Sequence, residues 1–252
     1  MGSGRSGILL GNSRLRCGHF EGCRVLQSRA LAYEEIELPA NQEWFDDFLG
    51  GAEVEIVVGS VCDEHLGLIR SAGPDGSARL LEAGRDFEIP VENRYENPRE
   101  VGVDRLLNAL AASARWPGEA VIVVDFGTAM SISVVSAGGE FLGGPIGAGV
   151  GTILRGLASA TPHLPGLEAG PGTPLIARST AQALRAGVLG QVRGGADTLV
   201  KGIRQELGGD TRVVATGGEA EWVADGMELF EAIVPELTLE GLAIAAETGS
   251  RP

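Results

Sequence analysis

The same order of elements occurs twice in the 252-residue chain, and this repetition constrains the fold more than any single motif. The first series comprises an apolar run at residues 8–10, the turn Gly11-Asn12-Ser13, an alternating segment at 14–20, a turn at 21–22 and an apolar segment at 23–26. The second comprises an apolar run at 121–124, the turn Asp125-Phe126-Gly127-Thr128, an alternating segment at 130–135, a turn at 137–139 and a return at 140–142. Each series predicts three strands joined by two hairpins. We therefore expect two similar halves that each open with a β-meander, although an unrelated α/β chain can also contain two meanders.

Helical spacing follows each meander. Apolar residues recur at three- and four-residue intervals over residues 104–114, which predicts a helix there. Further helices are predicted at residues 65–71, 153–160, 180–200, 219–224 and 239–247, and further strands at 54–58 and 212–215. Strands that alternate with helices indicate an α/β fold. Trp116-Pro117-Gly118 interrupts the pattern, so we expect an N-terminal half at residues 1–115 and a C-terminal half at 116–252.

Charge and residue usage exclude several function classes. The formal net charge of −14 argues against a nucleic-acid or anionic-membrane surface, which needs a basic face. The only lysine, Lys201, follows a valine, so the chain has neither a Gly-Lys-Ser/Thr phosphate loop nor the lysine-bearing strand of protein kinases. Cys17, Cys23 and Cys62 form no Cys-x-x-Cys pair, and we expect reduced thiols in a cytosolic protein. No run of about 18 apolar residues predicts a membrane span.

The turns that follow the first strand of each half are candidate phosphate sites. Small residues expose backbone N–H groups, glycine allows close approach, and Ser13 or Thr128 adds a hydroxyl donor. Two such turns that face each other across a cleft would grip a triphosphate from both sides. Asp125, at the second turn, is placed to hold a divalent cation directly or through water. The alternative is a strand-end aspartate that caps a local N–H.

Residues 95–105 hold the densest group of candidate catalytic residues. Asp104 is predicted at the N-terminus of a helix, whose dipole would hold the carboxylate ionised. Such a group suits a base that orients an attacking hydroxyl in phosphoryl transfer, where positioning matters more than base strength. Arg105 would anchor a substrate carboxylate or phosphate through a bidentate fork. An Asp–Arg helix cap with a surface ion pair is the alternative interpretation.

Two glycine-rich joints are weaker signals. Thr216-Gly217-Gly218 lies between a predicted strand and a predicted helix, where bare backbone allows a flat base or ribose to pack. A joint of this kind is often only a tight connection. Residues 143–151 have the glycine content of a dinucleotide fingerprint, but they follow a hairpin, and Pro145 interrupts the strand that the fingerprint requires.

Taken in order, these segments resemble the type III pantothenate kinases, a family of the acetate-kinase, sugar-kinase, heat-shock-chaperone and actin superfamily. Residues 125–129 resemble the family's second phosphate motif, and Tyr95, Pro98 and residues 102–105 resemble its pantothenate segment. The other matching segments are residues 143–146 with Gly149, 163–165, 179–187, 215–218 and 237–242. Each match is modest, but the order and spacing of the whole set are specific to the family.

The resemblance implies two ribonuclease-H-like halves with an interdomain cleft, and transfer of the ATP γ-phosphate to pantothenate in the first step of coenzyme A synthesis. It implies that Asp104 is the catalytic base, that Asp125 binds a monovalent cation, K⁺ or NH₄⁺, and that Mg²⁺ accompanies ATP. The implied pantothenate contacts are Tyr95, Gly102, Val103, Asp104, Arg105 and Thr180. The implied nucleotide contacts are Gly11, Asn12, Ser13, Arg14, Arg16, Thr128, Gly217 and Gly218. It also implies a cytoplasmic homodimer that binds pantothenate near the dimer interface and has no nucleic-acid or membrane partner.

The first phosphate motif departs from the family pattern Asp-x-Gly-Asn-Thr. Leu9 takes the place of the aspartate and Ser13 that of the threonine, while Met130, Ser133 and Ala148 replace the usual Thr, Asp and Pro. Serine preserves the hydroxyl, whereas leucine supplies neither an oxygen nor a charge, so we expect Leu9 to be a core residue of the first strand. Loss of an acid that orients magnesium through water costs roughly 10–100-fold in affinity or activity, and the substitution therefore implies a reduced rate.

Three functions remain open on the sequence. The first is a slow kinase of this family, which the intact Asp104 favours. The second is a catalytically silent homologue that binds nucleotide or pantothenate as a regulatory or accessory protein, which Leu9 and Ser133 favour. The third is a kinase of the same fold that acts on another hydroxylated substrate, which the altered glycine motif suggests.

Overall fold

The computed structural model describes residues 5–36, 48, 55–61, 65–67 and 79–251. Its strands are β1 (Arg5–Leu10), β2 (Arg14–Glu21), β3 (Arg24–Ala32), β4 (Glu55–Ser60), β5 (Arg79–Glu82), β6 (Ala120–Phe126), β7 (Ala129–Val135), β8 (Phe141–Gly143), β9 (Ile146–Ala148), β10 (Thr211–Thr216) and β11 (Ala232–Ile233). Its helices are α1 (Tyr33–Ile36), α2 (Val103–Arg115), α3 (Val150–Ala160), α4 (Thr180–Leu207), α5 (Ala220–Val223) and α6 (Leu237–Thr248), and Pro98–Glu100 forms a 3-10 turn. The chain divides into two compact units, one of residues up to Arg115 together with those from Glu236 onward, the other of Trp116–Pro235.

The two units repeat one sheet topology. In the first unit the strand order is β3-β2-β1-β4-β5, and in the second it is β8-β7-β6-β10-β11. The central strands β1 and β6 each pair antiparallel with the next strand along the chain and parallel with β4 or β10. This correspondence confirms the expectation of two similar α/β halves that each open with a meander. It also makes the turn after β1 equivalent to the turn after β6.

Alternating side chains of the first sheet build two apolar clusters. Ile8 and Leu10 of β1 point into one cluster with Leu15 and Val58. Leu9 points the other way, into the cluster formed by Val57, Phe20 and residues of α2 and α6. The helix predicted at 104–114 is therefore present as α2, because its apolar spacing places one face on this sheet.

The second sheet supports the longer helices of its unit. Ile122, Val124 and Phe126 of β6 pack in one cluster with Val188, Val192 and Val200 of α4. Ser179 caps α4 by accepting a hydrogen bond from the Gln182 N–H, and Gly208, at φ +69°, ends it in the left-handed region. The helix predicted at 180–200 is therefore longer than expected, because no left-handed residue occurs before Gly208.

Smaller differences concern element ends. Asp125 and Phe126 belong to β6, so the second turn is reduced to Gly127 and Thr128. Residues 65–67 are helical, while the rest of the helix predicted at 65–71, like Val54 and Cys62, lies outside the described residues. Cys17 is a buried free thiol and Cys23 an exposed one. Within the described ranges, no helix has the length and apolarity needed to cross a membrane.

The last helix belongs to the first unit, which corrects the assignment of residues 116–252 to a single half. A Cβ added at Gly241 of α6 would overlap the backbone of Leu107 in α2, so the two helices approach to backbone contact. Thr238 Oγ1 also donates to Asn108 Oδ1 at 2.7 Å, and Asn108 is fully buried. The spacing of apolar residues predicts α6 as a helix. It does not predict the packing partner, α2, which lies more than a hundred residues upstream.

Substitution of Gly241 by alanine tests this helix contact. We expect the free energy of unfolding to fall by about 1–3 kcal/mol, because the added methyl group would force α6 away from Leu107. Gly202→Ala in α4 is the matched control, since a Cβ there meets no atom within 4 Å. That control should gain about 0.5–1 kcal/mol from helix propensity. Urea unfolding measures both variants, and equal stability for the two would contradict the close contact.

Candidate functional site

The turn after β1 presents an exposed stretch held by its first residue. Gly11 N–H donates to the Arg14 carbonyl at 3.0 Å, which closes the turn. The Gly11 carbonyl accepts hydrogen bonds from Tyr33 Oη at 2.7 Å and from His65 Nδ1 at 3.1 Å. Asn12, Ser13 and Arg14, which are all predicted nucleotide contacts, are exposed. The turn therefore offers main-chain and short polar groups to solvent on a fixed base.

Arg16 lies away from the tip of this turn and has an ion-pair partner. Its Nη1 lies 3.3 Å from Glu236 Oε2, and the other oxygen of Glu236 accepts a hydrogen bond from Ser28 Oγ at 2.7 Å. The guanidinium is mostly shielded, with 20% of the side chain exposed. A nucleotide contact from Arg16, which stays a prediction, would have to form beside this ion pair.

The side chain of Leu9 packs against an apolar cluster and a glycine. It pairs with Arg16 in β2 and with Gly59 in β4. A Cβ added at Gly59 would lie 2.9 Å from Leu9 Cδ2 and 3.7 Å from Val103 Cγ1, so glycine leaves room for the leucine beneath the start of α2. Leu9 is half-buried and packs against the α2–α6 cluster, as expected for a core residue of the first strand.

The turn after β6 is enclosed by backbone from two other segments of its unit. A Cβ added at Gly149, before α3, would overlap the Gly127 carbonyl. A Cβ at Gly217, where φ is +96°, would overlap the Asp125 carboxylate and the Phe126 backbone. The Thr128 carbonyl accepts Gly149 N–H at 3.1 Å and Thr152 Oγ1 at 2.6 Å. The structure thus brings Asp125, Thr128 and Gly217 together at the carboxyl edge of β6 and β10.

Hydroxyl side chains flank Asp125 in the sheet, whereas Arg16 and Gly59 flank Leu9. Asp125 pairs with Ser131 in β7 and with Thr216 in β10, so three polar side chains lie in one row across the sheet. Thr216 is fully buried, and its hydroxyl has no hydrogen-bond partner among the described residues. A half-buried carboxylate with hydroxyls on both sides is a suitable oxygen environment for a hard cation.

Asp104 lies in the first turn of α2, as predicted, but the pKa of its carboxyl is shifted upward and not downward. Its Oδ1 accepts a hydrogen bond from the Arg105 N–H at 2.9 Å, and Gly102 is so near that an added Cβ would lie 2.5 Å from Oδ1. Burial nevertheless raises the pKa of the Asp104 carboxyl, and the hydrogen bond and the Arg105 charge only partly offset it. The helix terminus alone would lower this pKa, so the direction of the shift is opposite to the one that the position at a helix start predicts.

The other residues of the predicted substrate segment are distributed around Asp104. Arg105 is buried, with 4% exposed, so the alternative of a surface ion pair does not describe it. Val103 is half-buried beside Gly59, and Tyr95 is half-buried, with its N–H donating to Asn93 Oδ1 at 3.0 Å. Thr180 belongs to the second unit, where it is exposed as the first residue of α4. Their substrate contacts stay predictions.

The glycine-rich segment at 143–151 has a structural explanation within the second unit. Gly143 and Gly144 have φ values of +114° and +134°, and the chain then forms β9, which pairs with β7. The Pro145 carbonyl accepts the Ile132 N–H at 2.9 Å. The glycines therefore turn the chain from β8 into β9 and on to α3, which differs from the strand–turn–helix of a dinucleotide fingerprint. Gly218, after β10, is exposed.

The repeated topology, with a turn after the central strand of each unit, defines a class of α/β proteins built from two ribonuclease-H-like halves, the actin-like kinase fold. A putative 2-dehydro-3-deoxygalactonokinase from Sinorhizobium meliloti has this fold, with a TM-score of 0.55 and 14% identity over 96% of this chain and 98% of that one. A putative Baf family transcriptional activator from Campylobacter jejuni gives a TM-score of 0.57 and 18% identity over 94% of both chains.

Residues 8–202 match the model of the type III pantothenate kinase family, and the chain belongs to that family. A type III pantothenate kinase of Parafrankia sp. is 35% identical over 251 residues, which cover 97% of this chain and 98% of the relative. That of Dehalococcoides mccartyi strain 195 is 42% identical over 167 residues, which cover 66% of this chain and 64% of the relative.

The raised pKa of Asp104 predicts a pH-dependent cost to stability. A carboxyl whose pKa is higher in the folded state favours folding most below its unfolded pKa of about 3.8, and this advantage is lost as pH rises through the folded value. Asp104→Asn removes the titration, so its stability relative to the unsubstituted protein should increase from acidic to neutral pH. Urea unfolding at several pH values measures the difference. A constant difference across that range would contradict the desolvation of this carboxyl.

Proposed function

We propose that the chain is a cytoplasmic, homodimeric pantothenate kinase that transfers the γ-phosphate of ATP to pantothenate, giving 4′-phosphopantothenate and ADP. Membership of the type III pantothenate kinase family carries the reaction. The observation that carries the chemistry is the Asp104 carboxyl at the start of α2, beside Gly102. The Arg105 N–H donates to its Oδ1, and we propose that Oδ2 meets the substrate hydroxyl.

In this proposal Asp104 orients the primary hydroxyl of pantothenate for attack on the γ-phosphorus and accepts its proton as ADP leaves. The raised pKa supports this role, because a more basic carboxylate takes a proton more readily. Tyr95, Gly102, Val103, Arg105 and Thr180 are the proposed pantothenate contacts. The buried guanidinium of Arg105 is a preorganised partner for the substrate's carboxylate, since a side chain fixed by packing loses little freedom on binding.

The nucleotide contacts are proposed at the turn and joint residues. Gly11, Asn12, Ser13, Arg14, Arg16 and Thr128 would meet the phosphates, and Gly217 and Gly218 the nucleoside. Asp125, with Ser131 and Thr216 beside it in the sheet, fits a monovalent cation, K⁺ or NH₄⁺, which would supply positive charge near the phosphates. Mg²⁺ accompanies ATP, and the first unit provides no carboxylate for it at position 9.

A silent ligand-binding homologue is the second candidate, and Leu9 is the observation that favours it. Gly59 leaves room for the leucine, which supplies no oxygen atom at this position of the first strand. A kinase with a different alcohol substrate is the third candidate. These functions differ in what a purified sample does with ATP, Mg²⁺, K⁺ and pantothenate.

Replacement of Asp104 by asparagine separates the candidates. We expect phosphopantothenate formation by the unsubstituted chain and a loss of at least about 100-fold in kcat for Asp104→Asn, because the amide cannot accept the proton. Asp86→Asn is the matched control, since Asp86 also accepts a backbone hydrogen bond, from Glu82 N–H at 2.8 Å. Product detection by mass spectrometry measures the rates. Saturable nucleotide binding without turnover would instead support the silent homologue, and turnover only with other alcohols would support the third candidate.

Restoring an acid at position 9 tests the cost of its absence. We expect Leu9→Asp to raise kcat by roughly 10–100-fold, the usual effect of an outer-shell metal partner. Arg16 lies directly across the strand pair from this position, which would offset the cost of burying the new carboxylate.

Leu9→Asn is the matched control for this variant, because it has the same size and polarity but no charge. Steady-state rates should be compared together with thermal midpoints, so that a folding defect is recognised. A stable Leu9→Asp protein with an unchanged rate would mean that another group orients the metal.

A further inference from the structure

The carbonyl of Gly11 is held by two side chains that come from different segments of the first unit. Oη of Tyr33, the first residue of α1, donates to it at 2.7 Å, and His65 Nδ1 lies 3.1 Å from it. A carbonyl oxygen only accepts hydrogen bonds, so Nδ1 of His65 carries the proton. Both bonds are partly shielded from water, which makes them stronger than exposed ones.

The two side chains also support each other. The rings of Tyr33 and His65 are stacked, with centroids 3.7 Å apart and planes inclined by 27°. Each ring therefore fixes the orientation of the other, and the pair acts as one rigid donor on the first residue of the turn. Nothing in the local sequence around residue 11 requires this pair, since its members lie 22 and 54 residues further along the chain.

The equivalent turn of the second unit is held at a carbonyl in the same way. There the Thr128 carbonyl accepts two hydrogen bonds, from the Gly149 N–H and the Thr152 hydroxyl, at the start of α3. Each turn thus has one carbonyl that accepts two hydrogen bonds. In the second turn the donors are a backbone N–H and a hydroxyl at the start of α3, whereas in the first they are the side chains of an aromatic pair. A carbonyl drawn inward by two donors leaves the neighbouring N–H groups facing outward.

We propose that Tyr33 and His65 are positioning residues that hold the first turn in the conformation that binds the nucleotide phosphates. The inference rests on the proposed assignment of this turn to phosphates. The position of this turn is important in this chain because Leu9 provides no acid for a metal ion, so the proposed phosphate contacts of the first unit are the donors of the turn itself and of Arg16. Loss of the pair would release the turn and weaken nucleotide binding without touching Asp104.

The test measures ADP affinity by calorimetry in the absence of pantothenate, and the Michaelis constants for ATP and pantothenate separately. Tyr33→Phe and His65→Phe each keep an aromatic ring and remove one donor. We expect each to weaken ADP binding and raise the KM for ATP by about fivefold, with kcat and the KM for pantothenate little changed. His65→Asn, which can still donate a hydrogen bond, should restore part of the lost affinity.

His19→Phe is the matched control, because His19 also combines a hydrogen bond, to Ser6 Oγ at 3.0 Å, with a ring contact, to Phe48. It should leave ADP affinity unchanged, and thermal midpoints should verify that all variants are folded. Unchanged ADP affinity in Tyr33→Phe and His65→Phe would overturn the inference, as would equal loss in the control. ADP binding by the unsubstituted chain without phosphorylation of pantothenate would contradict only the proposed reaction, whereas absence of ADP binding would overturn both.

Discussion

A Cβ atom does not fit at Gly149, which lies against the backbone of the Gly127–Thr128 turn, or at Gly217, which lies against Asp125 and Phe126 at the end of β6. These contacts fix three things at once: where α3 begins, where β10 ends, and how the Asp125 carboxylate is enclosed. The Glu219 N–H donates to the Phe126 carbonyl at 3.0 Å and adds a further link across the same joint. Thr128 and Gly218 lie exposed beside this joint, where small residues allow a ligand to approach the backbone closely.

The same topology in the first unit gives a different environment at the equivalent place. Leu9 has Arg16 and Gly59 beside it in the sheet, whereas Asp125 has Ser131 and Thr216. The row of hydroxyl groups that accompanies the acid of the second unit is therefore absent beside Leu9. Membership of the type III pantothenate kinase family assigns the reaction. In the proposed enzyme, Asp125 of the second unit holds the monovalent cation, and Tyr33 and His65 hold the first turn in position.

Local patterns predicted much of the fold. The meanders and α2 follow from alternating and helical spacing, and their bounds agree to within a few residues because such periods report the buried face directly. The two candidate turns could be placed because they directly follow strands, and their contact with phosphates stays a proposal. The place of α6 in the first unit could not be predicted, since its contact with Leu107 joins distant parts of the chain. The partners of Arg16 and Gly11 could not be predicted either, because they also lie far away along the chain.

Asp104 shows a different limit of sequence reasoning. Its position at a helix start was predictable, and from that position alone a low pKa follows. Burial reverses the direction, and burial depends on the whole unit. Gly149 and Gly217 belong to glycine-rich segments that the sequence analysis singled out. The backbone segments that they contact could not be predicted from the sequence. The family resemblance supplied roles for these segments, and the structure supplies the physical reason for their composition.

In the proposed enzyme the joint between the ends of β6 and β10 contacts the nucleotide, so bound ADP should shield its backbone amides from solvent. Amide hydrogen exchange of the unsubstituted chain, with and without saturating ADP and Mg²⁺, measures this most directly. We expect slower exchange in peptides that cover residues 125–129 and 215–219 when ADP is bound. Saturable ADP binding that leaves exchange in both peptides unchanged would contradict it.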